Sequence, residues 1–446
     1  MSKATTASLA ALALLTSAGA ARAETAPVDP PVAYMVKPGD TLIALGRAYL
    51  NRPSDYRRVQ KANGVTEPRR LRPGSRLSID PNLLKSTPIA ATLSALTGPV
   101  QIETNGQRTP GRVGMPLSEG QWIITGPGAF ATFELEDASR VTLPSNTRVR
   151  IAKLRQTLLN NAPQRVFQLD QGKGTISATP TPTPGARFEV RTPVSVSAVR
   201  GTEFRVAAAA DRAQTEVLKG AVGVGAGETV SEAPPVAAGF GVSASATGVS
   251  APVALLPAPK LGAGGQTQND ALVRFSLEPV NGAASYSLVL ARDAGFVDIF
   301  AEATTQATSQ EKPNADFGQI ANGVYFVRLT AIDSGGLEGF PADYSFDRDL
   351  DTLDAASPSD TRQGKHRSFL FRWSSAGDGV RNYRFQMFAE ADPKTPIVDQ
   401  PGLTEPRLTL TDIAPGAYSW RVTALRFKDG VMTEKQGPPQ QLQIGK

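Results

Sequence analysis

The sequence predicts a mainly β chain: a small α+β module first, then a β-solenoid or sandwich-like unit, then two β-sandwiches. Three observations carry that expectation. Residues 34 to 79 read as strand, helix, helix, strand. From Thr97 to about Val230, short runs of alternating apolar residues are separated by glycine. Finally, Gly323-Val-Tyr-Phe-Val-Arg-Leu-Thr-Ala returns as Gly416-Ala-Tyr-Ser-Trp-Arg-Val-Thr-Ala, 93 residues later.

Residues 1–23 carry Lys3, an apolar stretch from Leu9 to Leu15, and Ala21-Arg22-Ala23 before Glu24. That is the pattern of a cleaved signal peptide, too short to cross a bilayer. No later run of eighteen apolar residues occurs, so the mature chain is expected beyond the inner membrane, periplasmic or secreted, with no membrane span. The chain has no cysteine, which excludes a lipoprotein anchor, disulfides and thiolate metal sites. Loss of residues 1–23 leaves 45 basic against 41 acidic residues, a net +4. Much of the basic excess lies between Arg47 and Arg76, and a basic face there favours anionic glycans over long range. An exported chain is not expected to meet nucleic acid, and a solvated charged face is the plainer reading.

In the first module, Tyr34 and Val36 share one face of a strand, and Pro38-Gly39 supplies a turn. Asp40 or Thr41 can cap a helix beginning near Leu42. Leu42, Leu45 and Tyr49 fall on one helical face, and Tyr56, Val59 and Ala62 repeat that spacing before Asn63-Gly64 stops the second helix. Arg76 to Ile79 forms the last strand. The ordered set Tyr34, Val36, Gly39, Asp40, Thr41, Leu42, Asn63, Leu71, Pro73, Gly74, Leu77 and Ile79 resembles the LysM domain, over residues 33–80. The resemblance implies binding of peptidoglycan and other N-acetylglucosamine polymers in a shallow groove. It places Gly39, Asp40, Thr41 and Leu42 on one wall and Asn63, Gly64 and Val65 on the other. Capping chemistry alone also accounts for these residue types. Ile43 stands where the family often has an aromatic residue, which weakens sugar stacking at that point.

The middle segment, residues 97–230, holds Gly98-Pro-Val, Leu117-Ser-Glu-Gly-Gln-Trp-Ile-Ile-Thr, Asp137-Ala-Ser, Thr192-Pro and Val199-Arg-Gly-Thr. That series is similar to the FecR domain, named after periplasmic regulators of iron-uptake signalling. Such regulators have a membrane helix and a cytoplasmic tail, neither of which is evident here, so a relay to a sigma factor is not expected in that form. Gly201 permits close approach or positive φ, and Arg200 is expected to clamp neighbouring turns through their carbonyls. Thr179 to Gly185 repeats Thr-Pro and is expected to protrude as a stiff extended loop.

Residues 231–268, rich in Ala, Gly, Pro, Ser and Val, read as a linker. The two copies of the repeat, residues 269–350 and 360–446, have the size of immunoglobulin-like sandwiches and resemble fibronectin type III domains. Tyr418, Trp420, Val422 and Ala424 alternate as a core face. The acidic run from Asp347 to Asp354 imitates a calcium loop but has Thr352 and Pro358 where glycine and glutamate belong, and is read as interdomain strand and linker. His366 is the only histidine, and no catalytic triad or metal site assembles around it. The expectation is therefore an exported, non-enzymatic peptidoglycan-binding protein with no cofactor and no metal. A sensory or regulatory protein holding an envelope partner through the FecR-like unit is the alternative, and a wall-remodelling enzyme the third reading.

Overall fold

The computed structural model describes residues 31–227, 234–307, 312–364 and 366–445. The signal segment expected at 1–23 lies outside them.

In the first module, strands Val32–Met35 and Arg76–Ile79 pair antiparallel, with Val32 opposite Ile79. Helices Leu42–Tyr49 and Tyr56–Ala62 pack across them, and Leu42, Leu45, Val59, Leu77 and Ile79 are buried together. The second helical face is shorter than expected. Ala62 is exposed, because the helix has only seven residues and Asn63 turns its end toward the Arg76–Ile79 strand. The module is seated on its neighbour: Lys85 N bonds to the Tyr49 carbonyl at 2.8 Å, and Leu159 packs against the module core.

The strands from Ser86–Pro88 to Val253–Ala254 pair in one closed circuit around a single apolar interior. Strand Pro163–Ser177 joins its two layers. The first part pairs with Arg148–Thr157 and runs parallel to Arg187–Arg191, and the second pairs with Arg140–Leu143 and Glu203–Ala208. Between the two parts stands Gly172, at φ +90°, where a Cβ would lie 2.6 Å from the Thr147 Cα. Only glycine fits such a crossing. Phe167 packs between Phe133 and Phe188 in the interior, its ring 5.5 Å from each.

The stretch 231–268 is not a linker. Strands Val236–Ala237, Phe240–Ser245, Gly248–Val249 and Val253–Ala254 complete the closed circuit, and Lys260–Leu261 and Thr267–Gln268 join the first sandwich. Its small residues, which imitate a flexible spacer, serve close packing instead: a Cβ on Gly241 would meet Leu255 and Leu337 at 3.1 Å. The β unit also starts earlier than residue 97, at Ser86, and the second sandwich starts at Thr352 rather than 360.

Each sandwich packs a three-stranded sheet on a larger one. The repeat persists in register, since Tyr286 faces Ala331 in the first copy and Tyr383 faces Ala424 in the second. Tyr418, Trp420, Val422 and Ala424 are all buried, as their alternation predicts. The acidic run joins the sandwiches through ion pairs. Asp349 meets Arg426 at 2.5 Å and Lys428 at 2.8 Å, and Asp351 meets Arg381 at 3.0 Å. Arg348 is 1% exposed and donates to the carbonyls of Ile320, Gln268, Asp270 and Ala271. With Asp349 and Asp351 paired in this way, the run acts as a junction between the sandwiches.

Candidate glycan-binding site

The loop from Lys37 to Thr41 is built by two side chains. Asp40 Oδ2 accepts from the Tyr34 hydroxyl at 2.8 Å and from the Lys37 amide at 2.7 Å, closing the turn over Gly39 at φ +90°. Burial first, then the Asp40 carboxylate, pushes the Tyr34 hydroxyl up to about 12. Thr41, not Asp40, caps the helix: its Oγ1 accepts from Ala44 N at 3.0 Å. Leu42 is 1% exposed, so only its backbone lies near the loop surface. Its amide donates to the Pro68 carbonyl at 2.8 Å.

That bond draws in the loop after the second helix. Farther along the same loop, Gly74 N bonds to the Val36 carbonyl and Val36 N to the Ser75 carbonyl, at 2.8 and 2.9 Å. The stretch Pro68 to Gly74 is thus tied at both ends beside Lys37–Leu42. Asn63 is occupied structurally, its amide nitrogen bonding to Val59 and Ser78 carbonyls and its oxygen accepting from Ser78 N. Gly64 takes φ +60°, and Val65 joins the core that also holds Leu42. Among the described residues, no hydrogen bond directly joins Asn63–Val65 to Gly39–Thr41. The segment lying along the first loop is Pro68–Gly74, with Arg69, Arg70 and Arg72 exposed on it. These arginines belong to the basic excess between Arg47 and Arg76. Their position beside the groove depends on the Leu42–Pro68 bond, which has no local sequence signal.

The Asp137-Ala-Ser and Val199-Arg-Gly-Thr phrases of the β unit serve as internal fastenings. Arg200 Nε and a terminal nitrogen donate to the carbonyls of Thr181 and Pro182 at 3.2 Å, the clamp its setting predicts. Gly201, at φ +73°, lies where a Cβ would be 2.6 Å from Pro180. The Thr-Pro loop is therefore held down, with Gly185 near Val32, rather than protruding freely. Ser139 bonds to Asp137 and accepts from Thr179 N, while Asp137 pairs with Arg165 at 2.9 Å.

A cavity of about 210 Å³ separates the β unit from the first sandwich. Arg205 and Glu216 line one side, and Val289, Arg328 and Thr330 the other. At its edge, Glu338 accepts from Lys173 at 2.5 Å and from Arg205 at 3.3 Å, and Glu338 N donates to Glu216 at 3.3 Å. Burial pushes Glu216 up to about 7, against the pull of Arg205. Glu338 is held below the usual range because Lys173 and Arg205 together overcome its burial. These charges pair with one another at one edge of the cavity, beside an apolar contact of Phe130 with Phe296 and Ile299, so the cavity reads as a joint between the two units.

His366 pairs through Nδ1 with Asp412 at 2.7 Å on an exposed surface, and this bond raises its pKa. Among the described residues no group of three or more His, Asp or Glu is arranged to hold a metal, and no helix is long and apolar enough to cross a membrane.

Two family models match parts of the chain. Residues 34–80 match the family model for the LysM domain, and residues 121–223 match that for the FecR protein. Among solved structures, a putative anti-sigma factor from Parabacteroides distasonis matches at 20% identity, covering 28% of this chain and 55% of that one, with a TM-score of 0.23. Chicken CNTN1 FN1–FN3 domains match at 12% identity over 72% and 99% of the two chains, TM-score 0.21. Fibronectin(III)-like modules of Clostridium thermocellum CbhA match at 10% identity over 41% and 90%, TM-score 0.19. The chain spans about half the length of the anti-sigma factor structure. No match was found among the curated proteins.

Proposed function

We propose that this is an exported, non-enzymatic cell-envelope protein that binds peptidoglycan through its LysM module and offers its β units as surfaces for protein contacts. The observation that carries the reading is the match of residues 34–80 to the LysM domain, on a module whose loops 37–42 and 68–74 are tied side by side. Gly39, Asp40 and Thr41 with the Leu42 backbone form one wall of the groove, and Asn63, Gly64 and Val65 continue into the other. Export rests on the signal pattern of residues 1–23. The non-enzymatic reading is supported by the settings of the titratable groups: His366 is paired with an exposed carboxylate, Asp412, and Glu216 is enclosed beside Lys173, Arg205 and Glu338.

Sedimentation with purified sacculi tests this reading. The mature chain should pellet with the wall, and a variant lacking residues 33–80 should stay in the supernatant while keeping the β signature of the remainder by circular dichroism. Release of muropeptides by the pure protein would contradict the non-enzymatic part.

A regulatory role through the FecR-like unit is the second reading, favoured by the match over residues 121–223. It requires an envelope protein that cross-links to that unit in cells.

A further inference from the structure

The first module carries more than the whole net positive charge of the chain. Between residues 31 and 85 stand eleven lysines and arginines against four acids, a net +7, whereas residues 86–446 hold 34 basic against 35 acidic residues, a net −1. A solvated face at random would not gather the excess into one small unit. Its arrangement is also uneven. Arg69, Arg70 and Arg72 stand in four consecutive positions of the loop that the Leu42–Pro68 and Val36–Gly74 bonds hold against the Lys37–Leu42 wall. All three are exposed, and among the described residues none has a carboxylate in ion-pair range. The nearest acid in sequence, Glu67, spends its carboxylate on the Arg69 backbone amide at 3.0 Å. By contrast, Arg58 approaches Asp80 at 4.0 Å.

From this we propose that the groove selects glycan strands that carry carboxylates, and that Arg69, Arg70 and Arg72 are the residues that read that charge. The proposal rests on the glycan-binding reading and sharpens it. A neutral N-acetylglucosamine polymer needs hydrogen-bond partners and an apolar face, not three forked cations. A guanidinium holds a carboxylate through two parallel bonds, and three on one tethered loop can meet acids spaced along a peptide-bearing strand. Each exposed contact is individually modest, so selectivity arises from their number and from attraction over about a Debye length, roughly 8 Å at physiological salt. Phosphate-bearing wall polymers share part of this chemistry and are separated from carboxylates by the test.

The experiment uses the mature chain with isolated peptidoglycan and, separately, a neutral chitin oligomer. The triple variant R69A/R70A/R72A should bind peptidoglycan about tenfold more weakly, with chitin binding unchanged. Its melting curve should match the parent's, because the three side chains are exposed. A variant R52A/R57A loses charge at the start of the second helix and should cost far less, which separates the loop from overall charge. Amidating the carboxylates of the peptidoglycan should reproduce the loss, while stripping phosphodiester polymers should leave binding intact. Equal loss with R52A/R57A, indifference to amidation, or dependence on the phosphodiester polymers would each overturn the proposal. Failure of the parent to bind either polymer would instead sink the glycan reading beneath it.

Discussion

Tyr34 and Asp40 are joined by a 2.8 Å hydrogen bond that ties the first strand to the crown of the loop beside it. The same carboxylate oxygen takes the Lys37 amide, so one side chain sets the shape of the wall that precedes the first helix. Replacing Asp40 with Ala should cost the module about 1 to 2 kcal/mol and weaken wall binding, whereas Tyr34→Phe removes only one of the two bonds. Burial and this contact hold the Tyr34 phenol at about 12. In an alkaline absorbance titration one late tyrosine among the eight should therefore move back toward the ordinary range in Asp40→Ala.

Gly46 marks the closest approach of the two helices. An added Cβ would stand 2.8 Å from the Pro53 carbonyl oxygen and 3.0 Å from the Tyr56 Cβ. Gly46→Ala should thus destabilise the module by about 1 to 3 kcal/mol despite the better helix propensity of alanine, and calorimetry of the early transition checks the sign.

Arg200 and Gly201 hold the Thr-Pro loop by different means. Arg200→Ala removes two exposed hydrogen bonds to carbonyls and should leave the melting temperature nearly unchanged while opening residues 179–185 to limited proteolysis. Gly201→Ala meets both a positive φ and Pro180, and should cost about 1 to 3 kcal/mol.

The joint between the β unit and the first sandwich should respond to pH. Glu216 sits folded at about 7 against an ordinary value of 4.5, so its stabilising contribution is complete below about 4.5 and is lost as pH rises through 7. Glu338, held low by Lys173 and Arg205, contributes oppositely: its share is present above the ordinary value and lost as pH falls below it. Between pH 5 and 8 the Glu216 effect dominates. Thermal unfolding should show stability falling with pH across that interval, and Glu216→Gln should flatten the slope.

Much of this architecture could be read in the chain because local chemistry agrees with tertiary packing. Thr41 caps, Asn63-Gly64 stops a helix, and the alternation from Tyr418 to Ala424 buries one face. The Arg200 clamp was legible for the same reason. The strands from Val236 to Ala254 were not, because glycine and alanine imitate a spacer when a packing partner such as Leu337 lies far away in sequence. The arginine loop beside the groove was hidden likewise. Its placement follows from a backbone bond between Leu42 and Pro68, which residue types do not announce.

The central claim, that the module is a glycan clasp with no reaction centre behind it, is tested most directly by calorimetric titration of the mature protein with soluble peptidoglycan fragments. Saturable binding, with the fragments recovered intact afterwards, is the predicted result. Absence of any binding heat across the accessible concentrations, or recovery of shortened fragments, would contradict it.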